Sequence, residues 1–158
     1  MERVNKIIHN SRYQKLIAEL NILEKDRQFC THSMEHFLDT ARIMYITSLE
    51  NNLKISKDVI YGCALLHDIG RVAEYKQGKP HNEASAEIAN EILKASDYSD
   101  KEINDITKAI LFHRAKDCDN ILGKLLYKAD KQSRLCFCCE AESECYWDKK
   151  KKNFDIIL

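Results

Sequence analysis

Six side chains that favour divalent metal ions are spread along this chain of 158 residues. His67 and Asp68 stand side by side after an apolar segment at residues 61–66, YGCALL. A neutral imidazole and a carboxylate at the end of a buried helix are unfavourable unless partners satisfy them, and a metal ion can satisfy both. For this pair alone, a buried His–Asp hydrogen bond is the alternative. The other four candidates are His36, His81, His113 and Asp130.

Helices are expected around all of these side chains. The chain has one proline and four glycines, which is typical of helices joined by short connections. Gly70 is expected to let the chain turn sharply after the His–Asp pair, and residues 76–80 to form a loop. Apolar spacing and capping residues predict six helices. The first three cover residues 11–25, a stretch from Thr31 or Ser33 to about 51, and a stretch from a Ser56 cap to 68. The last three cover residues 81–94, a stretch from a capping box at 99–102 to about 113, and a stretch from about 120 past 131.

The candidate ligands fall on the helix faces that should be buried. His81 lies on the apolar face of its helix, and His113 continues a stripe of three isoleucines. Each residue by itself is more typical of a satisfied core residue than of a ligand. Four histidines and two aspartates directed at one core predict a metal site instead, and their side chains suit Fe, Mn, Zn or Ni. Six ligands exceed the needs of a single ion with open positions, so one or two ions could be held.

The pattern resembles the HD-domain superfamily of metal-dependent phosphohydrolases. The resemblance implies an all-α, single-domain bundle of five to seven helices. An N-terminal helix in residues 1–29 would pack on an HD domain at 30–135, followed by a Cys-rich tail at 136–158. The motifs that carry the resemblance are EHFLDTARI around His36, ALLHDIGR around His67 and Asp68, ILFHR around His113 and LLYKADKQSR around Asp130.

The resemblance also implies roles for individual residues. His36 or His32 is the first ligand; the family's helix pattern favours His36 and leaves His32 to face the substrate or support the site. Asp68 would serve as both ligand and proton acceptor. The core metal ligands would be His36, His67, Asp68 and Asp130, with His81 and His113 matching the extra histidines of members that bind two ions.

Binding of phosphate requires positive charge close to these ligands. Arg71 follows the His–Asp pair and is the first choice, in a catalytic as well as a substrate-binding role. Lys131 and Arg134 follow Asp130 closely and are the next candidates, although a lysine in this position is equally typical of a solvated surface charge.

The implied activity is hydrolysis of a small nucleotide or related phosphoester or phosphoanhydride by metal-activated water. His113 is followed by Arg-Ala rather than His-Glu, and no Gly-Tyr-Pro follows, which argues against the cyclic-di-GMP phosphodiesterases. The alarmone hydrolases would have a Glu-Asp pair after the His-Asp motif, and the large deoxynucleotide triphosphohydrolases are longer. A small stand-alone HD hydrolase is therefore expected. The alternative is a catalytically silent, metal-bearing HD module for ligand binding or protein interaction.

Seven cysteines form a second feature of the sequence. Cys136, Cys139 and Cys145 lie within ten residues, and Cys-x-x-Cys is a common half of a zinc or iron–sulfur site. Cys30 or Cys138 could supply a fourth thiolate and close a structural site. The alternative is a set of free thiols on the tail, and a redox or metal-sensing role would depend on these cysteines alone.

The charge balance limits the classes of binding partner that the sequence supports. The chain has 25 basic and 25 acidic side chains, which gives no support to binding of a nucleic acid polymer. No apolar run approaches the ~20 residues of a membrane span, and no secretory signal is visible. An odd number of cysteines argues against a disulfide framework. We therefore expect a cytoplasmic protein that acts on a small-molecule phosphate, with a homodimer left open.

Overall fold

The computed structural model describes residues 1–114 and 119–156. Within them the chain is entirely helical and has no strand, which confirms the expected fold class. Short 3-10 turns follow the helices at Cys136–Cys138 and Glu142–Glu144. The helices are α1 Glu2–Ile8, α2 Ser11–Leu23, α3 Met34–Glu50, α4 Lys57–Leu66, α5 Arg71–Gln77, α6 His81–Lys94, α7 Asp100–Phe112 and α8 Ile121–Gln132.

The predicted helix starts are confirmed where a side chain caps them. Ser33, rather than Thr31, begins α3, because its hydroxyl accepts the backbone N–H of His36. Ser56 caps α4 in the same way. Ser99 and Glu102 form the reciprocal capping box of α7. These caps fix where each helix enters the bundle.

Helix α4 lies at the centre of the bundle and contacts α1, α3, α6, α7 and α8. Its residues from 62 to 66 are all buried, as expected for a helix that is apolar on every side. His67 is its C-cap, so the end of this central helix delivers the His–Asp pair into the interior. Within the described residues, no helix has the length and apolarity needed to cross a membrane.

Two seven-residue helices, α1 and α5, were not placed from the sequence. Seven residues make only two turns, which is too short for a helical period to stand out. Helix α5 begins only a few residues after α4, and the break between them contains His67, Asp68 and Gly70.

The expected reason for Gly70 was wrong. Its φ is −73°, so the left-handed conformation that favours glycine is not used. A Cβ at this position would instead lie 2.4 Å from both the carbonyl oxygen of His81 and the backbone nitrogen of Ser85. The Gly70 N–H also donates to the Ser85 hydroxyl at 2.8 Å. Glycine is needed here because the start of α5 packs directly on the first turn of α6.

The tail packs back on α8. The Asn153 side chain donates to the backbone carbonyls of Lys131 and Arg134, at 2.6 and 3.0 Å. The backbone carbonyl of Asn153 accepts from the Phe137 N–H. Residues 153–156 form no strand, and beyond Asn153 the side chains of Phe154 and Ile156 are exposed.

Candidate metal centre

Five buried histidines converge on Asp68 and Asp130. In each ring one nitrogen, Nδ1, is held by an acceptor outside the centre, while Nε2 faces one of the two carboxylates. Outer partners of this kind set the tautomer and orientation of metal-binding histidines. The five are His32, His36, His67, His81 and His113.

Two of these histidines are anchored by main-chain carbonyls. His67 and His113 are the C-caps of α4 and α7, and each Nδ1 lies against the carbonyl three residues earlier, at Ala64 and Ile110. A carbonyl can only accept, so Nδ1 carries a proton, and in the neutral ring Nε2 presents a lone pair. Nε2 of His67 lies 3.3 Å from Asp68 Oδ2, and that of His113 lies 3.8 Å from Asp68 Oδ1.

His36 is anchored by a hydroxyl. Ser133 donates its proton to the carbonyl of Asp130, so its oxygen is left to accept from His36 Nδ1 at 2.9 Å. His36 Nε2 lies 3.4 Å from Asp130 Oδ1 and 3.0 Å from Nη2 of Arg134. Burial lowers the pKa of His36 to about 4, so the ring is neutral at neutral pH and can act as a ligand.

Two more histidines are anchored by carboxylates. His81 Nδ1 lies 3.0 Å from Glu74, and its Nε2 lies 3.3 Å from Asp68 Oδ1. His32 Nδ1 lies 2.6 Å from Glu24, and its Nε2 lies 3.4 Å from Asp68 Oδ2. Neither glutamate was predicted from the sequence. Glu24 belongs to the polar run Glu-Lys-Asp-Arg at the end of α2, yet it is only 4% exposed.

The buried polar atoms of this centre fit a metal ion. Nε2 of His67, Nε2 of His81 and Oδ1 of Asp68 are buried and have no hydrogen-bond partner in the part of the chain that the structure describes. Such atoms are destabilising unless something satisfies them, and a cation would satisfy all three. Two sets, which share Asp68, have ligand atoms within 4.8 Å of one another: His36, His67, Asp68 and Asp130, and Asp68, His81 and His113.

The charges in the centre are tightly coupled. Burial disfavours the charged form of His67, but the carboxylates of Asp68 and Asp130 outweigh it and raise the pKa of His67 to about 10. Burial alone would raise the pKa of Asp68, but the neighbouring His67 outweighs it and holds this pKa well below its usual range. A cation is thus favoured among these groups, and a metal ion would take the place of the proton on His67.

A cavity of about 540 Å³ opens above Asp68 and Asp130. The tail reaches it, which the sequence analysis did not foresee. The cavity is bordered mainly by positive and aromatic side chains: Arg27, Arg71, Arg114, Lys131, Arg134, Lys150 and Lys151, with Phe29, Tyr127, Tyr146 and Trp147.

The three expected phosphate-binding residues all line this cavity but differ in their contacts. Arg71 Nη1 donates to Glu74 at 2.7 Å, and its Nε lies 3.4 Å from Asp68. Arg134 is held more firmly, because besides His36 it contacts the carbonyl of Thr31 at 2.8 Å. Lys131 is 38% exposed and lies over the ring of Tyr127, 3.3 Å from the ring centre.

All the cysteines that the structure describes are free thiols. Cys63 is fully buried in the core. Cys118, which was expected at the surface, lies outside the described residues. The remaining five lie at the start of α3 or in the tail and are considered below.

Comparison with known proteins gives a consistent result. The family model for the HD domain matches residues 34–135. An uncharacterized protein of Clostridium beijerinckii is 44% identical over 156 residues, covering 99% of both chains. Ribonuclease Y of Mycoplasma pneumoniae is 27% identical over 144 residues, which span 27% of that enzyme. The crystal structure of a predicted HD superfamily hydrolase from an uncultured Thermotogales bacterium shares the fold, with a TM-score of 0.65, 22% identity and coverage of 88% of this chain and 80% of that one.

Proposed function

This chain belongs to the HD-domain family, and from that premise we propose that it is a metal-dependent phosphohydrolase. The observation that supports the proposal is the common orientation of the five imidazoles. Each ring is fixed from outside through Nδ1 and presents Nε2 to a buried carboxylate. Preorganised ligands with satisfied outer partners are what a metal site requires.

The ligand sets divide the centre into two halves. His36, His67, Asp68 and Asp130 would hold one ion, and Asp68 with His81 and His113 would hold a second. Bound Fe, Mn, Zn or Ni would lower the pKa of a coordinated water and neutralise charge on a phosphate. Asp68, which belongs to both sets, is placed to act as ligand and proton acceptor.

The surrounding side chains support a small phosphorylated substrate, and a nucleotide in particular. One guanidinium group can bind two oxygens of a phosphate at once. Arg71 lies directly beside Asp68 and could bind the phosphate in this way. The aromatic side chains on the same cavity, among them Tyr146 and Trp147, offer surfaces for a base. His32 borders the cavity as well and would contact substrate or support the site.

Two experiments test this function together. Wild-type protein, purified without chelators and loaded with Mn²⁺, Fe²⁺, Zn²⁺ or Ni²⁺, would be assayed for bound metal by mass spectrometry. It would then be assayed for phosphate release from nucleoside mono-, di- and triphosphates and nitrophenyl phosphate esters, and for cleavage of a short RNA. We expect turnover of at least one small phosphate. If RNA is the only compound cleaved, the substrate is a polymer and the proposal of a small phosphate is wrong.

Matched variants separate the centre from general effects. Asp68→Asn should lose metal and activity, since both ligand sets contain Asp68. His9→Ala is the control, because His9 is exposed at the end of α1 and should be removable without effect. Metal binding without hydrolysis of any substrate would favour the silent HD module. Failure of the wild type to bind any of the metals would contradict the proposal outright.

A further inference from the structure

Four cysteines from two distant parts of the chain border neighbouring clefts beside the candidate centre. Cys30, just before α3, borders the same cleft as Cys136 and Cys139. Cys30 also borders the cavity above Asp68, together with Cys145. Cys30 therefore borders both the cleft of the Cys-x-x-Cys turn and the cavity reached by the third cysteine of the tail.

The backbone of the tail arranges its three cysteines at a repeat of three. The Cys139 N–H donates to the carbonyl of Cys136, the Glu142 N–H to that of Cys139, and the Cys145 N–H to that of Glu142. Each is a bond between residues three apart, as in 3-10 turns. The short 3-10 helices Cys136–Cys138 and Glu142–Glu144 end at Cys139 and Cys145, so this chain of compact turns keeps the three cysteines close along the tail.

Cys138 differs from its neighbours in its contacts rather than in its exposure, since Cys138 and Cys139 are both exposed. Cys138 is not part of this series of bonds, and its sulfur lies 3.6 Å from the carbonyl of Leu135. Cys30, by contrast, is half-buried and borders both the cleft that contains Cys136 and Cys139 and the cavity that contains Cys145. This placement favours Cys30 over Cys138 as the fourth ligand.

We propose that Cys30, Cys136, Cys139 and Cys145 bind one structural zinc ion, separate from the hydrolase centre. Four thiolates form a closed tetrahedral site without an open position for chemistry. The sulfurs are not yet at ligand spacing, because among the described residues only the two histidine–aspartate sets have ligand atoms within 4.8 Å of one another. Zinc binding would draw them together and release their protons.

The local charges suit such a site. Four thiolates this close together repel one another and are unfavourable without a cation. Arg134 favours the thiolate form of Cys30, and Lys152 interacts with Cys136 and Cys145. These two cations would offset the net negative charge of zinc bound to four thiolates.

The zinc ion would fasten one wall of the cavity. Tyr146 and Trp147 follow Cys145 directly and line the cavity, and Phe29, which precedes Cys30, lines it too. The rings of Phe29 and Tyr146 already meet edge to face, with their centres 6.4 Å apart. A link between Cys30 and the tail would hold this aromatic wall in place.

The test compares Cys136→Ser/Cys139→Ser with the control Cys138→Ser. Full-length proteins are saturated with Zn²⁺, freed of loosely bound metal by gel filtration, and analysed for zinc per chain. We expect the double variant to contain one zinc ion fewer than the wild type, and Cys138→Ser to contain the full amount. Equal zinc in all three proteins would overturn the proposal. Iron with acid-labile sulfide at these cysteines would overturn the choice of zinc.

Two further measurements keep the proposal testable if the double variant does not fold. Wild-type protein loaded with Co²⁺ should show the intense visible absorption of cobalt bound by thiolates in a tetrahedral site, and its absence would overturn the proposal. Native thiol titration should find four fewer reactive thiols in zinc-loaded than in zinc-free wild type. Cys30→Ser should abolish the cobalt signature; an unchanged spectrum would exclude Cys30 as the fourth ligand.

Discussion

Glu24 holds His32 through two separate hydrogen bonds. One carboxylate oxygen accepts the backbone N–H of His32, and the other lies against ring Nδ1, both at 2.6 Å. The second oxygen also accepts from the Tyr75 hydroxyl at 2.6 Å. Burial alone would raise the pKa of Glu24, but the contacts with His32 outweigh it and lower the pKa to about 2. Helix α2 thereby fixes the entry to α3 and one wall of the candidate centre.

The substitution Glu24→Gln tests this relationship. An amide has one accepting oxygen, so its NH₂ group would face a donor that the carboxylate now satisfies. We expect a loss of about 1–3 kcal/mol in the free energy of unfolding, together with a ~10-fold or greater loss of metal affinity or activity, as for other outer partners of metal sites. Asp26→Asn, an exposed change two residues away, is the control. Equal metal affinity in the two variants would remove Glu24 from the support of the centre.

Substitution of the two glycines that flank α5 should affect metal binding differently. Gly70→Ala places a methyl group 2.4 Å from main-chain atoms of α6, so the first turn of α6 must move. We expect destabilisation of about 1–3 kcal/mol or more, with weaker metal binding because His81 moves too. Urea unfolding and metal titration measure the two effects.

Gly78→Ala is the matched variant. Nothing lies within 4 Å of the added methyl group, but φ is +71°, so we expect only the conformational cost of about 1–2 kcal/mol. Metal affinity should not change. A loss of metal affinity in Gly78→Ala as large as in Gly70→Ala would contradict the argument from close packing.

Arg71→Ala tests phosphate binding apart from metal binding. Arg71 lines the cavity and lies beside Asp68, but it belongs to neither ligand set. We expect turnover to fall by ~10-fold or more while metal content is retained, since one charge-assisted phosphate contact is worth about 1.5–3 kcal/mol. Arg42→Ala, an exposed arginine on α3, should leave both unchanged. Full activity in Arg71→Ala would mean that another cation binds the phosphate.

Stability should fall in acid through the pair Arg3–Glu102, which joins α1 to α7. Arg3 donates to both carboxylate oxygens, at 2.7 and 3.0 Å, and lowers the pKa of Glu102 to about 2 from an ordinary 4.5. A lowered pKa gives stability that is complete above about pH 4.5 and is lost as the pH falls towards 2. The pair is about a quarter exposed, so solvent screening reduces its contribution to about 1 kcal/mol.

Urea unfolding of Glu102→Gln and wild type at several pH values measures this contribution. The difference between them should be about 1 kcal/mol at pH 7 and should shrink between pH 4.5 and 2. Glu2→Gln, with a side chain that is 86% exposed, is the control. A difference that does not depend on pH would assign the effect to packing rather than to charge.

The sequence was sufficient for six of the eight helices described, and the spacing of apolar residues predicted that all six candidate ligands face one core. Helix bounds and ligand directions both follow from local patterns. A capping residue such as Ser56 and an apolar stripe such as the one that ends at His113 can be recognised within a few turns of sequence. The anchors of the histidines could not be predicted in the same way. Glu24 and Glu74 hold His32 and His81 from other helices, and a glutamate that will be buried has the same local sequence as an exposed one.

The role of Gly70 and the position of the tail escaped prediction for a related reason. Glycine is usually needed for an unusual φ, but here it is needed for space that only the packing of α5 on α6 creates. Lys150 and Lys151 belong to a run of four lysines to which no role was assigned from the sequence, and the fold brings them to the cavity. The ion-binding roles of the candidate ligands and cysteines stay predictions for the experiments above.

The main-chain anchors of His67 and His113 have an evolutionary consequence. The carbonyls of Ala64 and Ile110 belong to the last turns of their helices, where a carbonyl can accept a side-chain donor. That of Ile110 also accepts the backbone N–H of His113. No change of side chain at positions 64 or 110 can remove these acceptors, provided that the helix still ends at the histidine. Two of the five imidazoles are thus insulated from mutation of their neighbours, whereas His32, His36 and His81 depend on a side chain that a single substitution can delete. Drift should therefore alter the centre first through Glu24, Glu74 or Ser133.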